Sequence, residues 1–139
     1  MSDHAAVVRR FIEQVLNKGD IDQAGQYVWE DVIEEMPLPR QGPGLIGLKD
    51  VLEEMKAAFP DIHWKIEEQM SDGDRVMTRF VWTGTHLGPF LGIPPTGRNV
   101  SVWGVVIDRI VDGRIKQTRI IMDALGMMAQ MGVIPAAGK

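Results

Sequence analysis

The chain has 139 residues, of which 45% are hydrophobic and 24% are charged, and this balance is typical of a folded globular domain rather than a disordered chain. The formal net charge of −4 offers no basic surface, so we expect no nucleic-acid partner. The absence of cysteine excludes disulfides and thiolate chemistry.

The apolar residues are not arranged as a membrane anchor. The longest stretch without Lys, Arg, Asp or Glu covers residues 80–97, and glycine and proline interrupt it. We therefore expect no membrane-spanning helix. The N-terminus mixes charges with apolar residues, which is not typical of a signal peptide. Together these features predict a soluble, cytoplasmic protein.

Helical periodicity dominates the first third of the chain. Apolar residues recur with helical spacing over residues 8–16, and Gly19 suits the left-handed conformation that ends a helix. A capping-box pattern beginning at Asp20 predicts a second, short helix. A third apolar stripe covers residues 48–59, where Pro60 stops it.

The rest of the chain shows the alternation of β-strands. Residues 62–67 alternate between apolar and polar, and residues 29–38 predict an earlier strand. Asp112-Gly113, between two long apolar segments, is a strong hairpin signal. Helices followed by hairpin-linked strands predict an α+β fold, in which a curved antiparallel or mixed sheet wraps around about three helices. We expect one domain over residues 1–139.

Two consequences follow from this architecture. A curved sheet cannot close completely on its helices, so it leaves a concave pocket that is the default site for a small hydrophobic molecule. The strand around Trp103, Val105 and Ile107 is apolar on both faces, yet helices cover only one of them. We therefore expect a homodimer that buries the outer face of the sheet.

Four segments carry a resemblance to a known family: GTH at 84–86, GPFLGIPPTG at 88–97, DRIVDGRI at 108–115 and DALGMMAQMG at 123–132. With them the chain resembles, over nearly its whole length, the SnoaL-like polyketide cyclases or ester cyclases of the NTF2-like superfamily. The resemblance implies a cone-shaped fold with a central pocket and a short C-terminal helix. It also implies a cofactor-independent aldol closure of a polycyclic aromatic methyl ester, with an acidic residue after the last strand as general acid/base.

The position that matches this acidic residue is Asp123. A catalytic role requires its carboxyl to face the pocket, where desolvation would raise its pKa. Alternatively Asp123 only caps the helix that follows. Arg119 is the second candidate, either to stabilise an enolate or as an exposed strand arginine. His86 is the third, as a proton shuttle or as a residue that holds the 88–97 loop through hydrogen bonds.

Further residues are candidates for substrate binding. Arg79 lies in an apolar strand, where it is either exposed or paired in the pocket with Glu34 or Glu35. Large aromatic side chains would suit a flat, apolar ligand, although core packing explains them equally well. These aromatic candidates are Trp29, Trp64, Trp82, Trp103 and Phe90. The three histidines lack a metal-ligand spacing, so we expect neither a metal nor another cofactor.

The leading hypothesis is an acid/base enzyme that promotes ring closure, isomerisation or hydration of a hydrophobic cyclic or polyketide-like molecule. One alternative is a non-catalytic binding protein, with apolar pocket walls and Asp123 turned to the helix N-terminus. An enzyme would instead place Asp123 and a second ionisable side chain in one cavity. A further alternative, epoxide hydrolysis, needs two carboxylates around an arginine, for which Glu34, Glu35 or Asp108 could complete the set.

Overall fold

The computed structural model describes residues 3–135, so the ends of the predicted domain lie outside the described residues. Helix α1, His4–Phe11, continues as a π-helical segment, Ile12–Asn17. A short 3-10 helix, Ile21–Gln26, follows, and the predicted capping box is wrong because no side-chain hydrogen bond caps its start. Helix α2 covers Gly44–Ala58. Within 3–135 no helix has the length and apolar character needed to cross a membrane.

Five strands form one mixed sheet in the order β1-β5-β4-β3-β2. Neighbouring strands are antiparallel, except that β1 and β5 are parallel. A short helix α3, Ala124–Met131, follows the last strand. This arrangement confirms the predicted α+β fold. The strand bounds are Val28–Glu34 (β1), His63–Asp72 (β2), Arg75–Thr85 (β3), Asn99–Val111 (β4) and Arg114–Met122 (β5).

The hairpin between β4 and β5 turns at the predicted dipeptide. Asp112 and Gly113 have φ angles of 47° and 80°. Positive φ at both central residues is the type I′ geometry, whose twist matches that of antiparallel strands. This turn joins β4 to β5, in which Asp108 lies opposite Thr118.

The concave face of the sheet carries the core and the outer face is exposed. Along β4, Val102, Val106 and Ile110 are buried, whereas Trp103 on the opposite face is 54% exposed. The N-terminal helices pack on the concave side, with α1 against β2 and β3 and α2 against β1. The sheet and these helices therefore enclose a hollow between them.

Gly104 in the middle of β4 allows the sheet to pack closely around this core. A Cβ atom there would lie 2.6 Å from Cζ of Phe80 and 2.5 Å from the carbonyl oxygen of Ile121. Any side chain would force both neighbours to move. Glycine in a strand interior often marks such a close approach.

Candidate active site

The hollow between sheet and helices is a pocket with about 830 Å³ of empty space, part of it open to solvent. A largely apolar hollow with a few polar groups has the usual character of a small-molecule site. Among the described residues, four polar side chains line it, namely Glu34, Gln41, Asp108 and Thr118. The remaining walls are apolar, from Val8, Phe11, Ile12, Leu16, Val28, Val32, Leu38, Leu48, Val51, Leu52, Met55, Trp64, Phe80, Val106, Ile115, Ile120 and Met122.

Three of the four polar side chains stand in one row across the sheet. Thr118 on β5 is the register partner of Glu34 on β1 and also of Asp108 on β4. Residues directly opposite each other on adjacent strands point to the same face. The sheet therefore presents the row Glu34–Thr118–Asp108 to the pocket.

Asp108 is the most strongly perturbed group of the row. It is only 4% exposed, and it lies on the inward side of β4. Burial raises the pKa of its carboxyl from 3.8 to about 7. A hydrogen bond from the Thr118 side chain opposes this rise in pKa, and the nearby charge of Glu34 adds to it. Asp108 can therefore both hold and release a proton near neutral pH.

Glu34 is partly buried at the end of β1. Desolvation raises the pKa of its carboxyl, while backbone N–H groups of Met36 and Ile120 act against this by stabilising the ionised form. Oε2 of Glu34 accepts the hydrogen bond from the Met36 N–H at 3.1 Å. Glu34 is thus a second titratable group in the same cavity.

Asp123 caps helix α3. Its Oδ1 accepts a hydrogen bond from the Gly126 N–H at 2.9 Å, and its own backbone N–H bonds Trp103. Strand β5 ends at Met122, and the pocket lies on the side of Ile120 and Met122. Asp123 is not one of the lining residues of this pocket, so its predicted catalytic role stays a prediction without support from the geometry.

His86 is fully buried beside the loop that it precedes. Its Nδ1 accepts a hydrogen bond from the Thr96 N–H at 3.2 Å, and its ring stacks on Phe59 with centroids 5.4 Å apart. Its backbone bonds Gly97 and Arg98. Within the described residues Nε2 has no hydrogen-bond partner. These contacts match the second of the two predicted roles, in which His86 holds the 88–97 loop.

The two candidate arginines lie on the outer face of the sheet. Arg119 forms an ion pair with Glu35, and Arg79 binds Glu68 with a Nε–Oε1 distance of 2.7 Å. The suggested pairing of Arg79 with Glu34 or Glu35 is therefore wrong, because Arg79 and its partner Glu68 face each other across β2 and β3. Neither arginine is brought to the pocket with Asp108.

Of the aromatic candidates, Trp64 lines the pocket directly. Trp82 is buried behind it and donates from Nε1 to Sδ of Met122, a lining residue, at 3.2 Å. Phe90 packs edge-on against Phe59 in the core. The remaining two lie elsewhere. The guanidinium of Arg114 lies over the ring of Trp29, with Cζ 3.5 Å from the ring centroid. Trp103 is exposed on the outer face.

Sequence reasoning weighed Asp108 only for epoxide hydrolysis and left Thr118 out. A signal was present in the alternation of β4, since Asp108 falls two residues after Val106 and two before Ile110, both inward. A carboxyl in that series must be buried. Thr118 has the same parity as Ile120 and Met122.

The comparison with known families agrees with this fold and pocket. The family model described as SnoaL-like polyketide cyclase matches residues 6–131. The chain belongs to this family. SnoaL-like relatives include the aklanonic acid methyl ester cyclase DnrD of Streptomyces peucetius, which is 30% identical over 136 residues covering 95% of this chain and 92% of DnrD. The nogalonic acid methyl ester cyclase of Streptomyces nogalater is 30% identical over 84% of this chain and 88% of its own length.

Solved structures share the SnoaL-like architecture. TsrD of Streptomyces laurentii superposes with a TM-score of 0.86 at 26% identity, covering 96% of this chain and all of TsrD. IdmH of Streptomyces antibioticus gives a TM-score of 0.81 at 30% identity, covering 94% of this chain and 99% of IdmH. The resemblance inferred from the four sequence segments is thereby confirmed, together with the NTF2-like fold that it implied.

Proposed function

We propose that the protein is a cyclase-type enzyme that needs no cofactor and closes a ring in a hydrophobic, polyketide-like ester inside the main pocket. The relatives named as methyl ester cyclases support this reaction class. The observation that carries the proposal is Asp108, a carboxyl with a pKa of about 7, buried in a pocket whose other walls are largely apolar. We assign general acid/base catalysis to this residue.

The chemistry requires a proton to leave a carbon next to a carbonyl group. The resulting enolate attacks a second carbonyl of the same molecule, and the new alkoxide takes up a proton. An acid/base group performs both transfers best when its pKa lies near the operating pH. An apolar pocket also excludes water that would quench the enolate, and Trp64 supplies a flat surface for an aromatic ring.

The alternatives receive less support from the same pocket. Asp123 turns to the helix N-terminus, as a binding protein would have it, yet two ionisable side chains, Asp108 and Glu34, line one cavity. A protein that only binds an apolar ligand gains nothing from two desolvated carboxyls. Epoxide hydrolysis needs an arginine between its carboxylates, and the described lining residues include none.

The test is turnover of aklanonic acid methyl ester, the compound named for the Streptomyces relatives, by wild type and two Asn variants. We expect Asp108→Asn to lower kcat by roughly 100-fold or more, because a positioned acid/base group contributes about 10²–10⁴-fold. Asp123→Asn keeps the helix cap and tests the earlier assignment. Loss of turnover in Asp123→Asn with full turnover in Asp108→Asn would transfer the role back to Asp123.

We also propose a homodimer through the outer face of the sheet. On this face Trp103 is 54% exposed and Ile121 is 59% exposed. Val105, which shares the face, is the strand partner of Ile121. The ion pairs of Arg79 and Arg119 flank this apolar strip. An apolar centre with a charged rim is the usual composition of a protein interface.

A further inference from the structure

We propose that Glu34 and Asp108 act together on one substrate, Glu34 as base and Asp108 as acid, and that the Thr118 hydroxyl returns the proton between them. This inference rests on the proposed function and refines it: Asp108 keeps the role of acid, the role of base passes to Glu34, and Thr118 is added between them. It also explains how the two carboxyls regain their starting protonation states after each turnover in a pocket lined mainly by apolar side chains.

The register of the sheet carries the first step. Thr118 is paired with Glu34 on one side and with Asp108 on the other, so the three side chains leave the sheet side by side. Adjacent strands lie about 4.8 Å apart, which puts Glu34 and Asp108 roughly 10 Å apart at their backbones with a hydroxyl midway. The Thr118 side chain lies close enough to the Asp108 carboxyl to lower its pKa through hydrogen bonding. Glu34 lies on the other side of Thr118, and a glutamate side chain is long enough to reach the hydroxyl from there.

The second step is that the two ends of the row differ in exposure to solvent, because Asp108 is buried and Glu34 is only partly buried. Asp108 is 4% exposed, so solvent reaches it much less readily than it reaches Glu34. Glu34 and Thr118 line the main pocket and also a neighbouring groove, whose walls include the exposed residues Ile33 and Pro43. Protons can therefore enter and leave most readily through Glu34, and the row connects Glu34 to Asp108.

The third step is the division of labour. Asp108 is the more deeply buried carboxyl, so it keeps its proton to the higher pH and serves as the acid. Desolvation raises the pKa of Glu34, but the hydrogen bond that Oε2 accepts from the Met36 N–H favours the ionised form, which suits a base. The negative charge of Glu34 adds to the rise in the pKa of Asp108, so an ionised Glu34 helps Asp108 to keep its proton.

The reaction then balances without an oxidant, reductant or cofactor. The Glu34 carboxylate takes a proton from the carbon next to a carbonyl, and the resulting enolate carbon forms a bond to the carbon of a second carbonyl. The oxygen of that carbonyl takes the proton of Asp108. Thr118 then gives its hydroxyl proton to Asp108 and receives the proton held by Glu34, which restores the starting state.

Thr118→Val tests the return path, because valine keeps the shape and removes the hydroxyl, and Thr118→Ser is the matched control. With aklanonic acid methyl ester we expect Thr118→Val to complete a first turnover at a near-normal rate and then to slow at least tenfold. Thr118→Ser should keep the steady-state rate. A residue with a purely structural role would slow the first turnover equally.

Glu34→Gln tests the pairing, and Glu30→Gln, at an exposed position on the same strand, is its control. NMR of the ¹³C-labelled Asp108 carboxyl should show a lower pKa in Glu34→Gln, because a like charge is gone, and a higher pKa in Thr118→Val, because a hydrogen bond to the ionised form is gone. Glu30→Gln should leave the Asp108 titration unchanged. Turnover in Glu34→Gln should fall roughly 100-fold.

The outcomes separate this inference from the function on which it rests. An active wild type with normal steady-state turnover in both Thr118→Val and Glu34→Gln would overturn the pair and leave the cyclase function standing. An inactive wild type would overturn the cyclase function, and the NMR titration would then decide alone. A lower Asp108 pKa in Glu34→Gln together with a higher one in Thr118→Val would support proton sharing. An Asp108 titration that is unchanged in both variants would refute it.

Discussion

Replacing Asp108 by Asn should make the folded protein less sensitive to alkaline pH. In the folded chain burial raises the pKa of Asp108 to about 7 from 3.8, so folding favours the protonated carboxyl. The stabilising contribution of this proton is complete below pH 3.8 and is lost as the pH rises through about 7. Asparagine has nearly the same shape and never ionises, so the free energy of unfolding of the variant should not fall as the Asp108 carboxyl of the wild type ionises.

The magnitude follows from the difference between the two pKa values. A difference of roughly 3 pH units corresponds to about 4 kcal/mol in the free energy of unfolding over the whole titration. Between about pH 5 and about pH 8.5, close to 3 kcal/mol of this loss should appear in the wild type. For a chain of this length, that is on the order of 10 °C in Tm.

The assay is urea unfolding of wild type, Asp108→Asn and Asp123→Asn at both pH values. Asp123→Asn removes the same charge but keeps the helix cap, since asparagine caps as well as aspartate. It should therefore follow the wild-type dependence on pH. If Asp108→Asn loses as much stability as the wild type between the two pH values, then Asp108 ionises freely in the folded protein and the reasoning is refuted.

Two further predictions concern the sheet itself. Trp103→Glu on the outer face should convert the dimer to a monomer, as measured by light scattering at micromolar concentration. Ile46→Glu, at an exposed site on α2, is the control and should leave the dimer intact. A monomeric wild type would contradict the proposed interface. Gly104→Ala should lower the free energy of unfolding by about 1–3 kcal/mol, because its Cβ would collide with Phe80 and the Ile121 carbonyl. Gly42→Ala, where the new Cβ would lie 3.9 Å from its neighbour, is the control, and equal stability of the two variants would contradict the packing described for Gly104.

The fold could be predicted from the sequence because its signals are local. Alternation along residues 99–110 gives a strand with two distinct faces, and Asp112-Gly113 has the backbone freedom that a type I′ turn requires. The parallel pairing of β1 with β5 is not a local property. It requires residues 114–122 to pair with residues 28–34, which lie far away in the sequence. This pairing decides which residues face the pocket.

The site was harder to predict because β5 is apolar on both faces. The alternation of Arg119 and Ile121 against Ile120 and Met122 does not say which side the helices cover. By alternation Asp123 would belong to the face of Arg119, which lies opposite the pocket, and the strand already ends at Met122. Burial of Asp108, in contrast, follows from the neighbours that share its face.

The most direct test of the account is the titration of the Asp108 carboxyl in the wild-type protein by ¹³C NMR. Enclosure in an apolar pocket predicts a midpoint near pH 7. A midpoint near the ordinary value of 3.8 would mean that water reaches this group freely, and Asp108 would then lack the property for which the acid/base role is assigned to it.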